Sequence, residues 1–167
     1  TQGTADSNEL WLDVTVKTGD KIIGRSGGQN NAKEVDPWSY FINAYLLDHE
    51  GERIERRDAQ NILVALYDHQ IPPGAASIIH YQLNVPEGTT EPITIEVKLQ
   101  YRKFNSAFMG HMNKENYTEN DLPIVTLASD HVTLPIKANS GLVHKPAQYI
   151  PTWERWNDYG IGLLREG

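Results

Sequence analysis

The chain has two long segments in which apolar and polar residues alternate, which is the pattern of a β-strand with one face against a core. The first, "ELWLDVTVK", carries an apolar residue at every second position: Leu10, Leu12, Val14 and Val16. The second, "ITIEVKLQYRKF", carries on one face Ile93, Ile95, Val97, Leu99 and Tyr101. Its opposite face carries Thr94, Glu96, Lys98, Gln100 and Arg102. We therefore predict two half-buried strands, with Arg102 on the polar face of the second.

Shorter segments rich in strand-forming residues lie between and after these two. They are "KIIGRSG", "SYFINAYLLD", "ASIIHYQLNV" and "PIVTLASDHVTLPIKA", while "NILVALYDHQ" fits either a strand or a helix. Turn signals at Gly19-Asp20, at Gly51 and at Pro72-Pro73-Gly74 separate several of them. About seven or eight strands at intervals of about ten to fifteen residues predict an all-β fold, an antiparallel Ig-like or fibronectin-like β-sandwich with a C-terminal helix.

The same pattern divides the chain into three parts. We predict a flexible N-terminus at 1–8, a β-sandwich domain at 9–147 and a C-terminal helical segment at 148–167. Pro146 and Pro151 bracket the exit from the sandwich, and Thr152 suits the N-cap position of the helix that follows.

The C-terminal helix carries a spaced set of large and small residues: Trp156, Tyr159, Gly160 and Leu163. Their spacing, W-x2-Y-G-x2-L, is close to the opening of a tetratricopeptide repeat, W-x2-L-G-x2-Y. Two interpretations stay open. The segment is either a lone amphipathic helix that packs on the sandwich, or the first helix of a repeat array, in which case this chain is a piece of a larger protein.

Composition narrows the classes of partner. The 167 residues carry a net charge of −7, which argues against nucleic acid and anionic lipid because both select basic surfaces. The sequence has no cysteine, which excludes disulfides, thiolate metal sites and covalent haem attachment within the chain. No apolar run approaches the roughly 18 residues of a membrane-spanning helix, so we predict no membrane span.

The segment 104–122, "FNSAFMGHMNKENYTENDL", shows neither the strand period nor the helix period. Loops of that length are uncommon and tend to be either functional or mobile, so we predict a long loop of one of these two kinds. Met109, His111 and Met112 within it are thioether and imidazole donors of the kind that copper accepts, and they form the candidate metal site. The alternative is that the methionines fill gaps at the edge of the sandwich.

Other chemistry has weaker signals. The six histidines show no H-x-x-x-H or H-E-x-x-H spacing, and no G-x-S-x-G is present, so we predict that the chain is not an enzyme. Asp36, Asp48 and Glu50 are hard donors that suit calcium, but a hairpin turn at Gly51 explains the last two equally well. Six aromatic residues are candidates for either a sugar-binding face or the core: Trp11, Trp38, Tyr40, Tyr45, Tyr81 and Tyr101.

Four motifs occur in order along the chain: "D-x-x-G-x-R-I", "I-P-P-G-A-A", "L-x-Y-R-K-F" and "W-N-D-Y-G-I-G-L-L". With the runs that surround them, from Leu10 to Leu164, they resemble the β-sandwich accessory domain of multihaem cytochrome c and tetratricopeptide-repeat proteins of bacteria. In that family, CxxCH-bearing haem segments precede the β-domain and a tetratricopeptide array often follows it. The haem-bearing part of the pattern is absent from this chain.

The resemblance implies a non-catalytic structural and docking domain of an extracytoplasmic electron-transfer protein, located in the periplasm or outside the cell. It implies no haem within this chain and allows haem c in an adjacent domain or partner. His111 and His69 are candidates to ligate or flank such a haem, because neutral imidazole suits iron. The implied partners are haem-bearing or tetratricopeptide domains of the same or another protein, or further copies of the chain. The alternative class is a secreted module that binds a small ligand, either carbohydrate or copper.

Overall fold

The computed structural model describes residues 7–136 and 150–166, which form mostly antiparallel sheets and a helix near the C-terminal end. The predicted all-β class is therefore confirmed. The strands are β1 (Glu9–Thr18), β2 (Lys21–Ser26), β3 (Ala44–Leu47), β4 (Val64–Asp68), β5 (Ile93–Arg102) and β6 (Val125–Leu134). The helices are α1 (Ser106–Asn113) and α2 (Thr152–Glu166), with short 3-10 turns at Ala59–Asn61 and Lys114–Asn116.

The strands form two sheets. Four of them hydrogen-bond in the order β2-β1-β5-β6, and β3 pairs with β4 in an antiparallel two-stranded sheet. β1 and β2 are joined by the predicted two-residue turn at Gly19-Asp20. β1 also makes an isolated antiparallel bridge from Trp11 to Phe41. The two segments that alternate most clearly in sequence, β1 and β5, are therefore the two interior strands of the larger sheet.

Backbone contacts divide the chain into two compact units. The first unit comprises Thr1–Asp13, Ser26–Gln70 and Lys98–Ser129. The second unit comprises Val14–Arg25, Ile71–Val97 and Asp130–Gly167.

Trp11, which is only 1% exposed, is the largest buried side chain of the first unit, whose other buried apolar residues include Leu10, Val35, Ile42 and Ile54. The indole Nε1–H donates a hydrogen bond to the carbonyl of Gly27 at 3.2 Å. Gly27 has a φ of +81°, and a β-carbon there would overlap the backbone of Leu12. The glycine therefore allows the chain to pass close to β1, where its carbonyl satisfies the buried indole.

Arg102, the last residue of β5, is completely buried, so its predicted place on a solvent-facing polar surface is wrong. Its Nε donates to Glu9 Oε2 at 2.8 Å, and one terminal nitrogen binds the same oxygen. The other terminal nitrogen donates to the carbonyls of Lys33, at 2.8 Å, and Asn120, at 3.2 Å. These bonds offset part of the cost of burying the charge, which alternation along a strand does not reveal.

The carboxylate of Glu9 is held at the point where three segments meet. Burial raises the pKa of Glu9, because it disfavours the charged carboxylate. The Arg102 guanidinium and the backbone N–H of Ser106 act in the opposite direction but do not cancel this effect. The fully buried side chain of Asn120 extends the same network, donating to the carbonyl of Phe104 at 3.0 Å. The network therefore ties β1 and β5 to the segment that follows β5.

The segment 104–122 is not a loop throughout its length, in contrast to the prediction. Residues 106–116 form α1 and a 3-10 turn, so the prediction is wrong there. Asn105 caps the helix, since its side chain accepts a hydrogen bond from the N–H of Phe108 at 2.7 Å. α1 is only two turns long and has no fully buried residue, so it lacks the apolar stripe by which a helix is found in a sequence.

The second unit corrects two further predictions. The segment 76–85, "ASIIHYQLNV", contains no strand, although its residues alternate. Leu83 lies beside Gly24 of β2, and Ile78 lies beside Gly162 of α2. The apolar residues of segment 76–85 thus pack although the segment is not a strand. Alternation shows which residues share a face, but it does not show whether a partner strand lies alongside.

α2 confirms the predicted C-terminal helix, but its first helical residue is Thr152 itself. The N–H of Arg155 donates to the carbonyl of Pro151 at 3.1 Å, so Pro151 occupies the capping position predicted for Thr152. His144, Pro146 and most of the segment between β6 and α2 lie outside the described residues.

Arg102→Ala should destabilise the protein by about 3–5 kcal/mol, because it leaves Glu9 and two backbone carbonyls buried without their donor. Urea unfolding followed by tryptophan fluorescence measures the change. Lys17→Ala is the matched control, since it breaks the partly exposed pair with Glu96, at 3.3 Å, and should cost less than about 1 kcal/mol. Equal losses of stability in the two variants would show that the buried network contributes no more than a partly exposed ion pair.

Candidate functional site

Helix α2 presents most of its apolar residues to solvent. Trp156, Tyr159 and Leu163 follow each other at three- and four-residue intervals and are 68%, 36% and 41% exposed. At about 100° per residue they form one stripe, and Trp153 and Leu164, 72% and 86% exposed, lie on the adjoining side. We call these five residues the aromatic face of α2. An exposed apolar patch of this kind makes the aromatic face a candidate interaction site.

Two rings of the aromatic face contact each other and line a cleft. The Trp156 and Tyr159 rings meet edge to face, with centroids 5.9 Å apart and an interplanar angle of 89°. Among the described residues, Thr152 and Arg155 join these two rings in lining a shallow cleft of about 350 Å³. A cleft beside fixed aromatic edges suits an apolar side chain from a partner.

A single buried glycine fixes the opposite side of α2. Gly162 is buried, and a β-carbon there would overlap the side chain of Ile78. Gly160 differs, because a β-carbon there would meet no described atom within 4 Å. Gly160 lies about 160° around the helix from Gly162, between Trp153 and Leu164. The two glycines therefore lie on two different sides of α2. Among the described residues, Ile78 packs on the Gly162 side, and the Gly160 side is open.

The residues of the predicted metal site all lie on α1. Met109 and Met112 are three positions apart and so share one side of the helix, whereas His111 is about 200° around the axis from Met109. His111 and Met112 are exposed and Met109 is half-buried. The helix therefore groups the two thioethers and turns the imidazole away from Met109. The copper site stays a prediction.

The other predicted donors are dispersed. His49, His80 and His131 are exposed on separate segments, and His144 lies outside the described residues. Asp48 Oδ1 accepts from the N–H groups of Glu50 and Glu52, at 3.0 and 2.8 Å, so it serves the hairpin turn. Within residues 7–136 and 150–166, histidine and carboxylate side chains form no cluster of three or more.

A stacked row of rings in the first unit was missed by sequence reasoning. His69 lies between Tyr40 and Tyr67, with ring centroids 5.0 and 4.5 Å away and interplanar angles of 11° and 27°. Tyr67 also contacts Tyr45 at 5.3 Å, and the Arg53 guanidinium lies 4.4 Å from the Tyr45 centroid. The register of β3 and β4 places Tyr45 opposite Tyr67. The available signal was the spacing Tyr67-x-His69, which puts both rings on one side of a strand.

The stacked row is suited to holding the β3–β4 pair together. Its rings cover each other's faces, which are the surfaces that sugars use, so Tyr40 and Tyr45 are poorly placed for the predicted sugar-binding role. Partial burial raises the pKa of Tyr67, with Arg53 acting in the opposite direction. Of the predicted sugar-binding aromatics, Trp11 lies in the core and Trp38 is 91% exposed.

Gly160→Ala should stabilise the protein by as much as about 1 kcal/mol, because alanine favours helix and the added methyl group meets open space. Gly162→Ala should lose the contact with Ile78 and lower helicity despite the same gain in propensity. Far-UV circular dichroism during thermal unfolding separates the two. Stabilisation by both substitutions would show that α2 is not seated on Ile78.

Comparison with known proteins gives this chain no relative. No protein-family model matches it, no curated protein matches it, and no solved structure matches it. In the part of the chain that the structure describes, no helix is long and apolar enough to cross a membrane.

Proposed function

We propose that this chain is a non-catalytic docking domain that carries the first helix of a helical repeat array. The observation that supports it is the asymmetry of α2. The helix is held on its Gly162 side, yet Trp153 and Trp156 are 72% and 68% exposed. Two largely exposed tryptophans on one helix are costly to leave in water, and they are the residue type that most often dominates a protein interface.

The occupant of the aromatic face is a second, antiparallel helix. The spacing W-x2-Y-G-x2-L supports this choice, because the small residue of such a repeat lets the next helix approach closely. Gly160 has the open space for that approach, and it lies between Trp153 and Leu164, which would flank the incoming helix. Helix pairs packed in this way lie about 8–10 Å apart, within reach of the Trp156 and Tyr159 rings.

The wider assignment follows from the resemblance in sequence. In this proposal the two sheets form an Ig-like or fibronectin-like sandwich that serves as a rigid mount. The domain belongs to an extracytoplasmic, periplasmic or extracellular, multihaem cytochrome-type electron-transfer protein. The chain holds no haem itself, and it fixes a haem-bearing domain and a tetratricopeptide array, of the same or a partner protein, in relation to each other.

The docking role is tested by fusing a consensus tetratricopeptide array that lacks its first helix to the end of the chain. If α2 supplies the missing helix, the array should unfold at a higher temperature than the same array alone. The tryptophan emission should also shift to shorter wavelength as Trp153 and Trp156 leave water. An unchanged unfolding temperature together with an unshifted emission would reject the proposal.

Gly160→Leu provides the matched control. A β-carbon at position 160 meets no described atom within 4 Å in the unfused chain, so there the substitution should stabilise the domain about as much as Gly160→Ala does. In the fusion it should obstruct the second helix and cost about 1–3 kcal/mol, the usual penalty of overpacking. A loss of the same size in both contexts would mean that Gly160 serves the domain and not the docked helix.

A second candidate function is the binding of a small ligand, and it is favoured by Trp38. The turn that carries this 91% exposed residue is fixed by Asp36, which accepts from the N–H groups of Trp38 and Ser39, both at 3.0 Å. Trp38→Ala should then abolish carbohydrate binding measured by calorimetry. His111→Ala should abolish copper binding if the ligand is a metal. Wild-type protein without either isotherm removes this candidate.

A further inference from the structure

A second feature of the first unit lies at the beginning of α1, where two cationic side chains lie against a pair of phenylalanine rings that contact each other. The rings of Phe104 and Phe108 are 4.7 Å apart between centroids. The Arg57 guanidinium carbon lies 5.0 and 5.2 Å from their centroids, and Lys103 Nζ lies 5.2 Å from that of Phe104. Cation–π contacts of this length are favourable, and they fix both charges over one apolar platform.

The Arg57 head is held in place before any ligand arrives. Its Nε donates to Ser7 Oγ at 2.9 Å, and Ser7 is fully buried. Its backbone has a φ of +59°, in the left-handed region that an arginine seldom adopts, and such strain persists only where the surroundings impose it. With Nε engaged and one face on the rings, the exposed terminal nitrogens are left in the fork geometry that binds an oxyanion through two parallel bonds.

The balance of charges around Arg57 and Lys103 is unusual for this chain. Of the residues that the structure describes, no carboxylate lies within ion-pair distance of Arg57 or Lys103. Both charges lie near the Phe104 ring and so are no more than about 10 Å apart, roughly one Debye length at moderate salt. The protein carries a net charge of −7, yet here it holds two positive charges together on an exposed surface.

We propose that Arg57 and Lys103 form an anion-binding site that takes a carboxylate group. An anion bound at the Arg57 fork would lie within electrostatic range of both charges, since the two are no more than about 10 Å apart. The guanidinium fork recognises the two carboxylate oxygens, Lys103 contributes a point charge, and the phenylalanine pair excludes water from one side of the site. The site belongs to the first unit and is independent of the aromatic face of α2, so each proposal can fail without the other.

The carboxylate has two sources that one experiment distinguishes. Isothermal titration at low ionic strength is carried out with hexaglutamate, with citrate and with neutral hexaglutamine. Binding of hexaglutamate, without binding of hexaglutamine, assigns the site to an acidic segment of a protein partner. Binding of citrate alone assigns it to a free small carboxylate. Either result supports the site, whereas binding of neither anion, or tighter binding of inorganic phosphate than of both, overturns it.

Variants locate the site. Lys103→Gln should raise Kd about tenfold, because it removes one charge-assisted contact and breaks no side-chain hydrogen bond to a described residue. Arg57→Lys should raise Kd severalfold even though it keeps the charge, because it removes the fork. Lys17→Gln, which changes the net charge equally but lies in the second unit and pairs with Glu96, should leave Kd unchanged. Equal weakening by Lys17→Gln and Lys103→Gln would overturn the site, since it would show a diffuse charge effect.

Discussion

A buried guanidinium needs partners for its charge and for its N–H groups, and Arg102 is such a guanidinium at the end of β5. It is completely inaccessible, and it binds the Glu9 carboxylate of β1 together with the carbonyls of Lys33 and Asn120. Four segments that are distant in sequence thereby meet at one side chain. Buried ion pairs add little net stability compared with apolar packing, but they tolerate few alternative arrangements. Here the bonds join residues that are 93, 69 and 18 positions apart, so they form only when these segments meet.

The hydrogen-bond network around Arg102 and Glu9 extends to the start of α1. Asn120 links to the carbonyl of Phe104, the N–H of Ser106 binds Glu9, and Asn105 caps the helix. α1 has little apolar area of its own with which to fold, so its position depends on these polar contacts at its first turn. Phe104 and Phe108 are placed by the same turn, and with them the platform beneath Arg57 and Lys103.

The two proposed contact sites rest on opposite kinds of chemistry. The aromatic face of α2 offers desolvation of large apolar rings, which gives affinity that changes little with salt. The Arg57–Lys103 site offers charge and a fixed fork, which gives orientation and a strong dependence on ionic strength. A docking domain that used both would gain most of its binding energy at the helix and most of its alignment at the cationic site.

The sequence by itself determined the elements whose cause is local. Alternation identified β1 and β5, the turn residues placed the β1–β2 hairpin, and a three- to four-residue period identified α2 together with its exposed aromatic stripe. The strand pattern also predicted one strand too many at 76–85, because it contains no information about which segments become neighbours. Tertiary structure alone decided the burial of Arg102, the stack around His69 and the pairing of Arg57 with two phenylalanines. Each of these joins residues far apart in the chain, and the free energy that fixes them, from desolvation and ring contact, exists only after the segments have come together.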